Sequence, residues 1–149
     1  MNKEKLQELA IDLEQEYPCS PKQRVKGMAH LPRMLDKCRA TLLGNNGEYH
    51  YDCPTDKRLF TFFGIDANKL KDFVATGATN EEVFDWILKE SGKNQKDVER
   101  FTADIVGLFP ADNPQMAAWF NGECKRLGLD PQITTLFDYL EFDDGVSFE

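Results

Sequence analysis

Apolar residues recur along the chain at intervals of three and four positions, the spacing that puts them on one face of an α-helix. The alternation of apolar and polar residues that marks a β-strand is nearly absent. Eight segments carry apolar stripes, and the pattern predicts an all-α fold of about eight short helices. The stripes are Leu6, Leu9, Ala10 and Leu13; Leu31, Leu35, Cys38 and Leu42; Leu59, Phe60 and Phe63; Leu70, Phe73 and Val74; Val83, Trp86 and Ile87; Val98, Phe101, Ile105 and Leu108; Ala117, Phe120, Cys124 and Leu127; and Ile133, Leu136, Phe137 and Leu140.

Proline, glycine and capping residues predict where the helices begin and end. Pro18 is expected to end the first helix, Pro32 fits the first turn of the second, and Gly44 fits its end. Thr79, followed by Glu82 three positions later, is the signature of a capping box at the start of another helix.

The remaining boundaries follow from the same rules. Asn113–Pro114 and Asp130–Pro131 each place a capping side chain before a first-turn proline, so we expect the last two helices to begin there. The segment Ser20–Gly27 is interpreted as a polar, basic connector. The segment Glu48–Asp52 alternates only briefly, which predicts an extended stretch or at most one small strand.

The size and composition of the chain limit its class. A length of 149 residues predicts a single domain, residues 1–149, that buries roughly 70% of its unfolded surface. No apolar run approaches the ~20 residues needed to span a bilayer, so no membrane-spanning segment is expected. The N-terminus is charged and unlike a signal peptide, which predicts a cytoplasmic protein. In that compartment the four cysteines, which lack paired spacing, are expected to be free thiols rather than disulfides or zinc ligands.

Charge is distributed unevenly along this acidic chain. The formal net charge is −8, which argues against a nucleic-acid partner because phosphate binding needs a dominant basic face. The segment from Lys22 to Arg39 nevertheless contains six basic residues against Asp36 alone, so it carries +5 and the rest carries −13. After Arg126 every charged residue is acidic. The net charge of the whole chain therefore conceals a basic segment and an acidic tail.

The basic segment has two interpretations, which the residues alone leave open. Arg33 and Lys37 are four positions apart on one helical face, so with Arg39 they can form a site for a small anion. Asp36 is spaced to hold Arg33 or Arg39 in a bidentate pair. Alternatively, the segment lies against the acidic tail or is simply solvated, which is the commoner fate of charge runs.

Groups that can carry chemistry follow directly after this segment. Cys53 is the expected N-cap of the helix that begins at Pro54, where the positive end of the helix dipole favours an anionic sulfur. With His50 three positions earlier it can form a nucleophile and its base, although a thiol that only fills space at a helix start is the simpler interpretation. His30 is a third candidate catalytic residue.

Two further groupings complete the candidate site. Tyr49 and Tyr51 point the same way if their segment is extended, and they can then line a pocket above the Arg33–Lys37 face, or else pack as core rings. A metal site would need His30 and His50 to converge with a carboxylate, and no ligand spacing supports one. No nucleotide-binding or hydrolase motif is present, so no metal or cofactor is predicted.

Several of these residues fall within motifs that resemble a known family. Leu31–Ala40, Gly47–Tyr51 and Cys53–Asp56, together with the closing segment Ile133–Gly145, are similar to a bacterial family catalogued as domain of unknown function 5069. The resemblance implies a cytoplasmic bacterial protein and no established reaction, cofactor or partner. Thr55 departs from the leucine or methionine expected after the Cys-Pro pair.

Two hypotheses about function follow. In the first, the segment from His30 to Asp56 binds a small anionic ligand, with Arg33, Lys37 and Arg39 as contacts and with His30, His50 or Cys53 as the polar or reactive groups. In the second, the chain is a non-catalytic module that docks a protein partner through residues 22–39 or the acidic tail. A cleft that encloses these residues favours the first hypothesis, and a flat, internally paired surface favours the second.

Overall fold

Eight α-helices and one small hairpin make up the protein in a computed structural model that describes residues 1–148. The all-α prediction is confirmed, and the helices form one compact domain. The helices are α1 (Lys3–Leu9), α2 (Leu31–Leu43), α3 (Pro54–Phe63), α4 (Ala67–Val74), α5 (Asn80–Ser91), α6 (Gln95–Val106), α7 (Ala117–Leu127) and α8 (Leu136–Ser147). The strands are β1 (Arg24–Val25) and β2 (Met28–Ala29), and a 3-10 helix spans Pro110–Asp112. Among residues 1–148, no helix is long and apolar enough to cross a membrane.

Helix α2 runs through the centre of the domain. It is buried on every side from Leu31 to Ala40 and packs against α1, α4, α5 and the hairpin. Pro32 lies in its first turn, and Gly44 ends it with a left-handed φ of 78°, as expected. Because the helix is buried all round, its charged residues have no access to bulk water and need partners within the protein.

The segment Ser20–Gly27 is more structured than the connector that its composition predicts. Arg24 and Val25 pair with Ala29 and Met28 in a two-residue antiparallel hairpin. Lys26 and Gly27 form its tip with positive φ angles of 47° and 89°. The prediction was wrong here because the apolar residues of so short a hairpin give almost no period to detect.

Helix α1 is shorter than its apolar stripe predicts. It ends at Leu9, and Ala10 is already extended with a ψ of 153°. Leu13 is still buried, at 1% exposure, because its backbone leaves the helix and donates a hydrogen bond to the carbonyl of Asn45. Leu13, the last residue of the stripe, is therefore buried although it lies in a loop and not in α1.

The last two helices begin later than the Asx–Pro pairs predict. Helix α7 begins at Ala117, and α8 begins at Leu136 after Thr135, whose hydroxyl accepts a hydrogen bond from the backbone N–H of Asp138. Asp130 and Pro131 form a turn instead, and Ile133 is 75% exposed. Asp138, Glu141, Asp143 and Asp144 of the acidic tail lie on α8, so these four carboxylates are fixed along one element.

Candidate functional site

A cleft of about 510 Å³ lies between α2, the loop before α3, and α8. Its walls include all five residues whose convergence the sequence left open: His30, Arg33, Lys37, His50 and Cys53. Tyr49 and Asp144 also line it. The structure thus brings most of the predicted polar residues together in one concave site.

Asp56 is the central acceptor of the site and is fully buried. One carboxylate oxygen lies 2.7 Å from Nε2 of His30, and the other accepts from Nζ of Lys37 at 2.8 Å and from the backbone N–H of Asp52 and Cys53. Burial alone would raise the pKa of Asp56, but the hydrogen bond from His30 and the charge of Lys37 outweigh it and lower this pKa to about 2. Asp56 is therefore an anion at neutral pH.

His30 occupies a strained position immediately before α2. Its φ is 72°, in the left-handed region that non-glycine residues seldom adopt, and its side chain stacks on Phe137. Burial lowers the pKa of His30 more than the contact with Asp56 raises it, so the ring is neutral at pH 7. Since a carboxylate only accepts, the proton lies on Nε2 and Nδ1 is an acceptor. Within residues 1–148 this buried Nδ1 has no hydrogen-bond partner.

Lys37 uses all three of its donors inside the protein. Its ammonium group donates to the carboxylate of Asp56, to the backbone carbonyl of His50 at 3.1 Å and to Sγ of Cys53 at 3.1 Å. The Cys53 thiol is therefore paired with a lysine. Within the described chain no hydrogen bond joins it to the exposed His50 ring, so the geometry does not assemble the nucleophile–base pair suggested by sequence.

Arg33 forms a bidentate pair with Asp144 of α8, at 2.6 and 3.0 Å, and both side chains are only 5% exposed. The hydroxyl of Tyr49 donates to the same carboxylate at 2.9 Å, and the guanidinium lies 5.6 Å from the centre of the Tyr49 ring. Burial would lower the pKa of Arg33, but Asp144 raises it overall. The expected pairing of Asp36 with Arg33 or Arg39 is wrong, because Arg33 pairs with Asp144, Arg39 donates to a backbone carbonyl, and Asp36 accepts from the backbone N–H of Cys19.

A second link joins the basic segment to α8. Lys22 bridges Asp138 at 2.6 Å and Glu141 at 2.9 Å, and the Ser20 hydroxyl donates to Glu141. The interpretation in which this segment lies against the acidic tail is thus what the structure shows for Lys22 and Arg33. These contacts hold α8 over the cleft.

Three predicted site residues do not line the cleft: Asp36, Arg39 and Tyr51. Arg39 is 2% exposed and donates to the backbone carbonyl of Ala78 at 3.1 Å, outside the cleft. Tyr51 donates to the carbonyl of Ala67 and packs edge-on against Phe60. The condition for a shared direction of Tyr49 and Tyr51 is not met, because the segment has turns at residues 47–48 and 51–52 and is not extended. Tyr51 instead packs as a core ring, which is the alternative that the sequence left open.

The cleft carries more acidic than basic residues. Carboxylates of Glu14, Glu48, Asp143 and Asp144 line it, against the cations of Arg33 and Lys37. Among residues 1–148, no group of three or more His, Cys, Asp or Glu side chains is arranged to hold a metal ion. The cleft is therefore lined by cations that are already paired and by hydrogen-bonding groups, and it is not a basic surface.

Asp144 is the functional-site residue that the sequence did not single out. It lies 111 positions from Arg33, and a run of acidic residues gives no sign of which member turns inward. The only available signal was the absence of basic residues after Arg126, which required the acidic tail to find partners elsewhere.

The chain can now be compared with known families. The sequence model of the family described as "Domain of unknown function (DUF5069)" matches residues 15–146, which include His30, Asp56 and Asp144. The chain belongs to this family. The resemblance drawn from the motifs is thereby confirmed. None of the curated proteins matches the sequence. The family's description states no activity, so a function has to be argued from the cleft.

Proposed function

We propose that this protein binds a small ligand in the cleft and that Nδ1 of His30 accepts a hydrogen bond from it. The observation that carries the proposal is a buried acceptor without a partner, on a residue that lines a cleft. Buried polar groups are nearly always hydrogen-bonded. Four buried side-chain atoms of residues 1–148 have no partner, and of these only Nδ1 of His30 belongs to a residue that lines the cleft. Asp56 fixes the tautomer and the ring orientation, as a carboxylate does for a histidine base. The same nitrogen would accept the proton if the ligand is a substrate.

The contacts of Asp144 indicate how the anionic ligand predicted from the basic segment can bind in this cleft. Asp144 receives two bonds from Arg33 and one from Tyr49, which is a complete donor set for a carboxylate. We propose that the ligand's anionic group replaces Asp144 on Arg33. The other lining carboxylates oppose multiple charge, so a monoanion fits best. Lys37, whose donors are all used, orients Asp56 and is not a contact. We further propose that the protein is bacterial and acts in the cytoplasm, as the family resemblance implies.

Chemical rescue of Asp144→Ala tests the anion site. Removing the carboxylate leaves Arg33 buried and unpaired, and this should lower the free energy of unfolding by about 3–5 kcal/mol. Formate or acetate should then raise the melting temperature of the variant more than chloride at equal ionic strength, because either anion can occupy the vacated donors. Asp138→Ala, which loses only an exposed partner of Lys22, is the matched control and should respond equally to formate and chloride. Equal responses in Asp144→Ala would refute anion binding at Arg33.

A nitrogen NMR titration tests the role of His30 directly. The chain has two histidines and both line the cleft, so the resonances of His30 are assigned by their loss in His30→Asn. Glycolate, which combines a carboxylate with a hydroxyl donor, should shift the Nδ1 resonance of His30. His30→Asn, which tolerates the left-handed backbone, should weaken glycolate binding. If neither glycolate, lactate nor pyruvate perturbs His30, the acceptor role is wrong.

The alternative of a protein-docking module stays a prediction. Three of its expected contacts, Arg33, Lys37 and Arg39, are at most 4% exposed, and Lys22 is paired with α8. Among residues 1–148 these contacts of the basic segment are thus engaged within the fold, and docking through the acidic tail stays a prediction.

A further inference from the structure

A second concavity, of about 830 Å³, lies beside the cleft, between α3, the start of α7, and α8. We call it the groove. Its walls are mainly apolar and include Phe62, Met116, Trp119 and Leu136. Trp119 is 50% exposed, although the other tryptophan, Trp86, is mostly covered and stacks on Phe73. A half-exposed indole on the wall of an apolar concavity is a ready surface for an apolar ligand.

The charges of the groove are of one sign. Lys57 and Arg58 line it, and among residues 1–148 no Asp or Glu does, on a chain whose net charge is −8. The guanidinium of Arg58 contacts Sδ of Met116 at 3.2 Å, and within residues 1–148 it has no carboxylate within salt-bridge distance. Lys57, by contrast, is bridged to Asp52 at 2.9 Å. Arg58 is therefore the groove's available cation.

The surroundings of the groove add to this charge. Nζ of Lys93 lies 5.3 Å from the centre of the Phe62 ring, and Cζ of Arg100 lies 5.7 Å from it, although Arg100 is paired with Asp97 at 2.8 Å. The carboxylate of Glu123 accepts from the Tyr139 hydroxyl but is itself paired with Arg126. The groove is thus an apolar site with uncompensated positive charge at its wall, which favours an anion with an apolar body.

We propose that the groove binds a small apolar molecule with one anionic group, such as an alkyl or aryl carboxylate. The anionic group binds Arg58, and the apolar body lies against Met116, Trp119 and Leu136. The volume is that of a site for a small organic molecule, within the range of about 300–1,000 Å³ typical of such pockets. The inference does not depend on the His30 cleft, because a different arginine receives the anion and the two sites share only Cys53, Thr55 and Leu140.

Titration with octanoate, octylamine and 1-octanol tests this site, with tryptophan fluorescence as the readout. Trp86→Phe leaves Trp119 as the single indole reporter. Octanoate should change Trp119 emission and bind about tenfold more tightly than octylamine, whose cation opposes Arg58. Arg58→Met should weaken octanoate binding about tenfold and leave 1-octanol within about twofold. Arg24→Met, which removes an exposed arginine of β1, is the matched control and should leave both affinities unchanged.

Each outcome distinguishes the groove from the cleft. Equal affinities for octanoate and octylamine, or octanoate binding that is unaffected by Arg58→Met, would overturn the proposal. Octanoate binding that falls with His30→Asn but not with Arg58→Met would assign the anion to the cleft and equally overturn it. Formate rescue of Asp144→Ala does not involve Arg58, so failure of the proposed function and failure of this inference are separately visible.

Discussion

The cleft and the groove share a wall formed by Cys53, Thr55 and Leu140, yet their cations are in opposite states. In the cleft, Arg33 is 4% exposed and bound to a carboxylate of α8. In the groove, Arg58 is half-buried, donates to the thioether of Met116 and has no carboxylate within salt-bridge distance among residues 1–148. The basic residues that stand out in the sequence are therefore largely paired with acceptors inside the fold. Arg58, which does not stand out, keeps its charge available to a ligand.

This difference has a physical origin in the burial of α2. A charge removed from water needs acceptors within the protein. On α2, Arg33 and Lys37 bind carboxylates, whereas Arg39 donates to the backbone carbonyl of Ala78. A cation at the rim of a groove keeps contact with water and can remain without one. Charge density along a sequence thus marks where ion pairs are needed, and only the structure shows which charges remain for a ligand.

The largest expected effect is on stability, from Asp56→Ala at the cleft. This change removes the acceptor of His30, of Lys37 and of two backbone N–H groups, and it leaves the ammonium of Lys37 buried without its carboxylate. Urea denaturation should show a loss of about 3–5 kcal/mol in the free energy of unfolding. Asp85→Ala, which breaks an exposed pair with Lys26, should cost at most about 1 kcal/mol. Similar losses in both variants would refute the central role of Asp56.

Acidification should destabilise the protein through the same carboxylate. The pKa of Asp56 is 3.8 ordinarily and about 2 in the folded protein, so its contribution is complete above pH 4 and is lost as pH falls towards 2. The expected loss is about 2 kcal/mol from this group. Urea unfolding over this pH range should give a shallower dependence for Asp56→Asn than for the native chain. Parallel curves would show that Asp56 does not titrate below its ordinary range.

His30 should give an effect at higher pH. Its pKa is lowered on folding from 6.5, so below that pH the unfolded chain takes up a proton that the folded protein does not. Stability should therefore fall with decreasing pH, with a slope of at most about 1.4 kcal/mol per pH unit, until the folded His30 also protonates. Unfolding measured between pH 7 and pH 5 should show this slope in the native chain and lose it in His30→Asn. A slope retained in that variant would assign it to other groups.

A smaller effect is expected where the basic segment meets α8 at the surface. Lys22 and its partners Asp138 and Glu141 are each more than a third exposed, so water screens their attraction. Lys22→Ala should lower the free energy of unfolding by less than about 1 kcal/mol, as measured by urea denaturation. A loss comparable with that of Asp56→Ala would mean that this exposed bridge, rather than the buried network, holds α8 in place.

The smallest effect on stability is expected in the groove. Arg58 is half-buried and has no carboxylate partner among residues 1–148, so Arg58→Met should change the free energy of unfolding by less than about 0.5 kcal/mol while weakening octanoate binding. Urea denaturation and calorimetric titration measure the two effects. Strong destabilisation of the variant would mean that the groove, like the cleft, stabilises the fold. Unchanged octanoate binding would mean that the groove is not the binding site.

The sequence predicted the fold better than the site, for identifiable reasons. Local signals sufficed for α2 and α5, where Pro32, Gly44 and the Thr79–Glu82 capping box agree with the apolar stripe. They failed at α8, because the Thr135 cap competes with the more conspicuous Asp130–Pro131 pair. These errors arise where two local signals conflict and tertiary packing selects one.

The site was predicted only as far as residues close in sequence determine it. The motif from His30 to Cys53 converges because α2 and the following loop fold back on themselves within a short span. Asp144 and the groove could not be found, since each depends on α8 meeting residues from a distant part of the chain. Arg39 was placed in the site by its charge alone, and its direction on the helix sends it to Ala78 instead.

The separation of 111 positions between Arg33 and Asp144 has a consequence for the order of folding. Closing so long a loop costs more chain entropy than forming the local contacts of α2 to α5, so the pair should form after the helical core. Until α8 docks, Arg33 has no carboxylate and its side of α2 must stay hydrated. The cleft is therefore expected to be the last part of the molecule to assemble, and its closure should report the completion of folding.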